Sequence, residues 1–205
     1  MHTRFIMVRH GQTEWNVGDR FRGRADITLN DTGTDQARRV AVALAGDPID
    51  AVYASPLLRT MHTAEAIAGS RGIIVPDPAL MDIDYGDWQG WTKDEAAKRA
   101  PELYELWLKS PEQVRFPHGE RLVDVRDRAM RSIEAWERQH DGQSVLLVTH
   151  DVVAKVVFCA MLSLEVSAFR HFDQDNAAIN RFEVRDGSYI IKTLNETGHL
   201  RTPAA

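Results

Sequence analysis

Several features are scarce in this chain of 205 residues, and each scarcity removes a class of protein. There is one cysteine, Cys159, so no disulfide framework can form within the chain and a reducing compartment is expected. Cys159 lies inside an apolar run from Val156 to Met161, and it reads as a buried thiol rather than a nucleophile. No stretch is long and apolar enough to span a bilayer, and the opening MHTRFIMVRHG has none of the pattern of a secretion signal; a cytoplasmic location is the expectation. There is no basic excess: 25 Lys and Arg stand against 30 Asp and Glu, a formal net charge of −5, which argues against nucleic acid or an anionic membrane as partner. Any anionic substrate would need a local basic pocket. With no repeat, low-complexity tract or Gly/Ser/Pro-rich linker, residues 1–205 are read as one domain.

What is present is an alternation of short β-rich runs with longer helical patterns. Phe5–Val8, Ala51–Ala54 and Val145–Val148 read as strands, with Ile73–Val75 a weaker one, and Thr34–Leu44, Leu57–Ala68 and Leu122–Gln139 carry apolar residues at helical spacing. Such alternation predicts an α/β fold, a three-layer sandwich with a mostly parallel central sheet and helices on both faces. Near the end, Asn180–Val184 and Tyr189–Thr193 flank Arg185-Asp186-Gly187-Ser188, a hairpin signal. Residues 91–116 read as short helices over the sheet, with plain packing or a substrate wall as their use.

Three strand ends share a design. Phe5–Val8 runs into Arg9-His10-Gly11, Ala51–Ala54 into Ser55-Pro56-Leu57-Leu58-Arg59, and Val145–Val148 into Thr149-His150-Asp151. In a parallel sheet these ends share one edge, so two arginines and two histidines converge and call for an anion between them. Ser55-Pro56 reads as a helix start with Ser55 as N-cap, which puts Arg59 in the first turns, where the helix already favours an anion. Arginine's planar, permanently charged fork suits phosphate oxygens.

A neutral histidine beside a bound phosphoryl group can attack phosphorus and split one hard displacement into two easier ones. The leaving alkoxide then needs a proton from a carboxylic acid. Asp82, Asp84 and Asp87 in the segment LMDIDYGDWQG are the candidates, and spacing alone does not choose among them.

Arg9-His10-Gly11 with Thr13 and Asn16 resembles the RHG signature of the histidine phosphatase superfamily, the phosphoglycerate-mutase-like proteins. The match continues through Arg22-Gly23 with Asp26, Leu29 and Gly33, then Ser55-Pro56-Leu57 with Arg59, Thr63 and Ala64. It resumes at Asp84, Gly86, Trp88 and Gly90, at Gly119-Glu120, at His150, and in the tail at Asp175-Asn176, Asn180, Leu194-Asn195 and His199-Leu200. The resemblance implies that His10 is the phosphorylated nucleophile and that Arg9, Arg59 and His150 clamp the phosphoryl oxygens. It further implies that Asn16 adds a contact and that Arg22 and Gly23 lie on the substrate-facing loop. No metal and no cofactor are implied, because the arginines and histidine supply the positive charge.

Two positions depart from the family pattern. Asp82 stands where a glutamate usually donates the proton, and the resemblance implies that role for it, with Asp84 as runner-up. Asp151 follows the second histidine where most members have glycine; a carboxylate there repels phosphate unless it points outward to bind a cationic part of the substrate, such as an amine. The implied activity is metal-independent phosphomonoester hydrolysis on a small phosphorylated metabolite, phosphoserine or a phosphoglycerate or sugar phosphate, resembling the metal-independent phosphoserine phosphatases. The alternatives are a cofactor-dependent phosphoglycerate mutase and, more remotely, a catalytically weak phosphate-binding module. The stretch 91–119 has no Arg-Arg pair of the kind the mutases use for the substrate carboxylate. A homodimer is the assembly soluble proteins adopt most often.

Overall fold

The computed structural model describes residues 2–69 and 72–201. Strands β1 (His2–Arg9), β2 (Ala51–Ala54), β3 (Ile74–Pro76), β4 (Ser144–Thr149), β5 (Ile179–Arg185) and β6 (Ser188–Glu196) form one sheet in the order β3-β2-β4-β1-β5-β6. The first four are mutually parallel, β5 pairs antiparallel with β1, and β6 antiparallel with β5. The helices are α1 (Glu14–Val17), α2 (Asp31–Ala43), α3 (Leu58–Ala68), α4 (Lys93–Arg99), α5 (Pro101–Lys109), α6 (Leu122–Gln139) and α7 (Asp151–Met161). The expected three-layer α/β sandwich is what the chain forms.

Alternation along each strand builds the two cores. Phe5 and Met7 of β1, Val145 and Leu147 of β4 and Phe182 of β5 face one side, where they meet Val125, Ala129 and Ile133 of α6 and most of α7. Ile6, Val8, Leu146, Val148 and Val52 face the other, against Val40 of α2, the adjoining Leu44, and Ala64 and Ile67 of α3. Each large apolar side chain buried in this way contributes roughly 1.5–3 kcal/mol. A central strand covered on both faces reads as a continuous apolar run, which is why β1 and β4 were visible in the sequence.

Two glycines allow a close approach that matters for the site. A Cβ on Gly11 would stand 2.4 Å from the Gly33 carbonyl oxygen, and one on Gly33 would stand 2.1 Å from that of Gln12. The start of α2 is thereby pressed onto the loop that follows β1, with Asn30 accepting from Gly33 N at 2.8 Å as its N-cap. The hairpin turn Asp186-Gly187 has φ of +49° and +75°, the left-handed pair that a two-residue hairpin requires.

The expected helix start at Ser55 is corrected. Helix α3 opens at Leu58, with Leu57 as N-cap and Pro56 outside the helix. Ser55 is fully buried, its hydroxyl closest to His150 at 2.8 Å and only loosely accepting from Leu57 N at 3.4 Å, and Asp26 accepts from Leu58 N at 2.7 Å instead. Among the described residues no helix is long and apolar enough to cross a membrane.

Candidate active site

Three parallel strands deliver the site at one edge of the sheet. β1 ends on Arg9 and passes to His10; β4 ends on Thr149 and passes to His150, the N-cap residue of α7; β2 leads through Ser55 to Arg59, the second residue of α3. His10 N donates to the Thr149 carbonyl at 3.0 Å, and the two histidine rings stand 5.2 Å apart. Arg9, His10, Arg59, Asp82 and His150 are respectively 8, 1, 0, 3 and 0% exposed, so the expected convergence takes place inside the protein rather than on a solvated rim.

Cations this deep need oxygen partners, and the backbone provides them. Arg59 donates to the carbonyls of Gly23 at 2.7 Å and Ala25 at 2.8 Å, and its guanidinium stands 3.6 Å from Asp82 Oδ2. Burial lowers the Arg59 pKa to about 10, with Asp82 opposing the shift, so it stays charged at neutral pH. Arg9 donates to the Gln174 carbonyl. The Gln174 side chain is locked by Asn180, which also donates to the Met7 carbonyl at 3.1 Å.

The two histidines are held in defined orientations. His10 Nδ1 lies 2.6 Å from the Gly11 carbonyl oxygen, which can only accept; Nδ1 therefore carries the proton and Nε2 the lone pair. Burial, then the charges of Arg59 and Arg9, hold the His10 pKa well below the ordinary histidine value. His150 is likewise depressed by burial and by Arg59, and its Nε2 sits 2.8 Å from the Ser55 hydroxyl while Nδ1 lies 4.0 Å from Asp82 Oδ2. Both rings are neutral at physiological pH.

Asp82, and not Asp84, joins this cluster. Burial raises the Asp82 pKa against the pull of Arg59. Its loop is held from behind by Arg128, which donates to the carbonyls of Ala79 at 2.6 Å and Asp82 at 3.1 Å and pairs with Glu120 at 3.0 Å. Asp84 turns to its own loop, accepting from Gly86 N at 2.8 Å and meeting Arg24 at 3.5 Å. Around the cluster, Nε of Arg9, Arg22 and Arg59 and Nδ1 of His150 are buried nitrogens without a hydrogen-bond partner.

The remaining expected residues divide. Asn16 is near the nucleophile, since Asn176 donates both to the His10 carbonyl at 3.2 Å and, more loosely, to Asn16 Oδ1 at 3.5 Å; that oxygen also accepts from Thr13 N and Oγ1. Arg22 and Asp151 line a cleft of about 350 Å³ that opens beside the cluster, together with Tyr85, Tyr104, Trp107 and Arg170. Gly23 is not on its lining; it acts through its carbonyl on Arg59. Asp151 meets Lys155 one turn along α7 at 3.0 Å, so its charge is matched within the protein. The roles of Ser55 as the anchor of His150, of the Gln174 carbonyl and of the Arg128–Glu120 brace were not foreseen, although Ser55-Pro56-Leu57, Asp175-Asn176 and Gly119-Glu120 in the motif set lie at or beside them.

The sequence profile of the histidine phosphatase superfamily (branch 1) matches residues 5–197, and the chain belongs to that family. It is 33% identical over 198 residues to phosphoserine phosphatase 1 of Hydrogenobacter thermophilus, covering 96% of this chain and 94% of that one. Among solved structures it superposes on YhfR of Bacillus stearothermophilus with a TM-score of 0.92 at 30% identity, covering 97% of this chain and all (100%) of the other. A mutant phosphoserine phosphatase of Entamoeba histolytica, solved in complex with phosphoserine, superposes with a TM-score of 0.89 at 28% identity, again covering 97% and 100%.

Proposed function

We propose that this protein hydrolyses small phosphomonoesters through a phosphohistidine on His10. The observation that carries this reading is the set of buried, partnerless nitrogens on Arg9, Arg22, Arg59 and His150 around the lone pair of His10 Nε2. Leaving one buried donor unsatisfied costs about 1–3 kcal/mol, and a phosphoryl group is the ligand with enough acceptor oxygens to satisfy several at once.

In the first step His10 Nε2 attacks phosphorus, the P–O bond to the alcohol breaks, and Asp82 gives its proton to the departing oxygen. In the second, water attacks phosphorus, its proton passes to the Asp82 carboxylate, the P–N bond breaks, and phosphate leaves with the enzyme restored. A neutral His10 is the competent nucleophile and a raised Asp82 pKa the competent acid, and burial pushes both in those directions. The arginine charges stabilise the transferring group through its transition state. The amide nitrogen of Asn16 is the end free to donate to phosphate, its oxygen being committed to Thr13. Ser55, donating its hydroxyl proton to His150 Nε2, would leave the Nδ1 proton for a phosphoryl oxygen.

The relatives' names favour a substrate such as phosphoserine. The test is phosphate release from phosphoserine, 3-phosphoglycerate, sugar phosphates and p-nitrophenyl phosphate, with and without a chelator, beside an isomerisation assay on 3-phosphoglycerate primed with bisphosphoglycerate. Chelator-resistant release from a natural ester is the expected result. Primed isomerisation without net release would overturn hydrolysis in favour of the mutase reading.

A further inference from the structure

The charges lining the cleft pair off except for Arg22 and Arg170. Asp19 meets Lys93 at 2.7 Å, Arg20 meets Glu95 at 3.6 Å and Asp151 meets Lys155 at 3.0 Å. Arg22 belongs to the donor set around His10. Arg170 is left over: among the described residues no carboxylate stands within ion-pair distance of it, although it lines the same cleft.

Arg170 is also set in place. Its guanidinium lies 5.3 Å from the Trp107 ring centre and 5.5 Å from that of Phe169, and one NH₂ donates to the Trp107 carbonyl. The two ring contacts and the hydrogen bond hold the fork in place, and a fork ordered before binding loses little freedom when it meets a planar oxyanion. The cleft, at about 350 Å³, has room for a leaving group that reaches from the phosphate cluster toward this wall.

We infer that Arg170 is a specificity residue that receives a carboxylate on the alcohol part of the substrate, so that the preferred esters are phosphorylated hydroxy or amino acids. The inference rests on the phosphatase reading above and deepens it. Arg170 touches the leaving group and not the reacting atoms, so its loss should raise KM for carboxylate-bearing esters and leave kcat nearly unchanged.

Four small esters separate the contributions: phosphoserine and 3-phosphoglycerate carry a carboxylate, phosphoethanolamine and glycerol 3-phosphate do not. Arg170→Gln should lower kcat/KM on the first two about 10- to 100-fold, the usual worth of charged hydrogen bonds, and change the last two and p-nitrophenyl phosphate less than about threefold. Arg170→Lys, which keeps the charge and loses the fork, should fall between. An equal loss on all five substrates, or no loss on any, overturns the role of Arg170 while hydrolysis by the unaltered protein leaves the phosphatase reading standing. Failure of the unaltered protein to hydrolyse any of the five would overturn both.

Discussion

In the buried cluster beside the cleft, the floor of the site, Arg59 has no exposed surface and gives two N–H groups to the carbonyls of Gly23 and Ala25. On the wall Lys93 keeps 59% of its side chain in water and meets Asp19, itself 67% exposed. The floor charges are held by backbone belonging to the folded sheet and its loops, so they cannot relax without unfolding something. The wall charges are held by each other in high dielectric, where a pair contributes about 0–1 kcal/mol and is easily exchanged. Chemistry that must be aimed sits on the first kind of support and the outer wall on the second, with Arg170 as the wall residue that is held by backbone and rings.

The contrast breaks most visibly at the nucleophile. His10→Ala should reduce turnover about 10⁴-fold or more on every ester, while the remaining donors still bind inorganic phosphate; quenched-flow labelling should find no phosphorylated protein, and residual covalent labelling would place the nucleophile elsewhere. Asp82→Asn should lower kcat/KM, which reports formation of the phosphohistidine and not its hydrolysis, by about 10²–10⁴-fold on alkyl esters and under tenfold on p-nitrophenyl phosphate, whose leaving group needs no proton. Equal losses on both would remove Asp82 from the acid role.

A smaller effect is on stability. His10 and His150 have folded pKa values below the unfolded value of about 6.5, so above that pH their contribution is fully present, and it is lost as pH falls from there toward the folded values. Each should weaken folding by about 1.4 kcal/mol per pH unit in that window. Asp82, raised, acts in the opposite sense between about pH 3.9 and its folded value, so the two histidines outweigh it near pH 6. Denaturant midpoints at pH 7.5 and 5.5 measure the slope, and the double variant His10→Asn, His150→Asn should flatten it.

Legibility in the sequence follows the same division. Strand ends and helix spans were readable because buried elements impose a pattern on their residues; β2 and α6 have the expected bounds, and the Asp-Gly hairpin is where it was read. The nucleophile, the arginines and His150 were readable because each ends or follows such an element. Ser55 misled because a Ser-Pro pair looks like a local cap, whereas its hydroxyl meets Leu57 N only loosely at 3.4 Å and has its closer partner, His150, 95 positions away. Spacing did not choose between Asp82 and Asp84, which only the resemblance ranked, because the choice depends on Arg128 and Glu120 bracing the loop from α6 and its approach. Arg170 was invisible because its significance is a missing partner, which only three dimensions reveal.

The Gln174 carbonyl that holds Arg9, and Asn176 and Ala177, which bind the His10 carbonyl, lie about 165 residues downstream of the residues they secure. Contacts closed over such a separation form late, because loop entropy must be overcome before they reward the chain. The first strand of the protein can thus be synthesised and even paired with β4, which ends before residues 174–177 are made, while its nucleophile is not yet usable. A nascent chain that has not yet delivered residues 174–177 would be expected to carry His10 and have no working phosphate site, which makes activity itself a timer for the completion of folding.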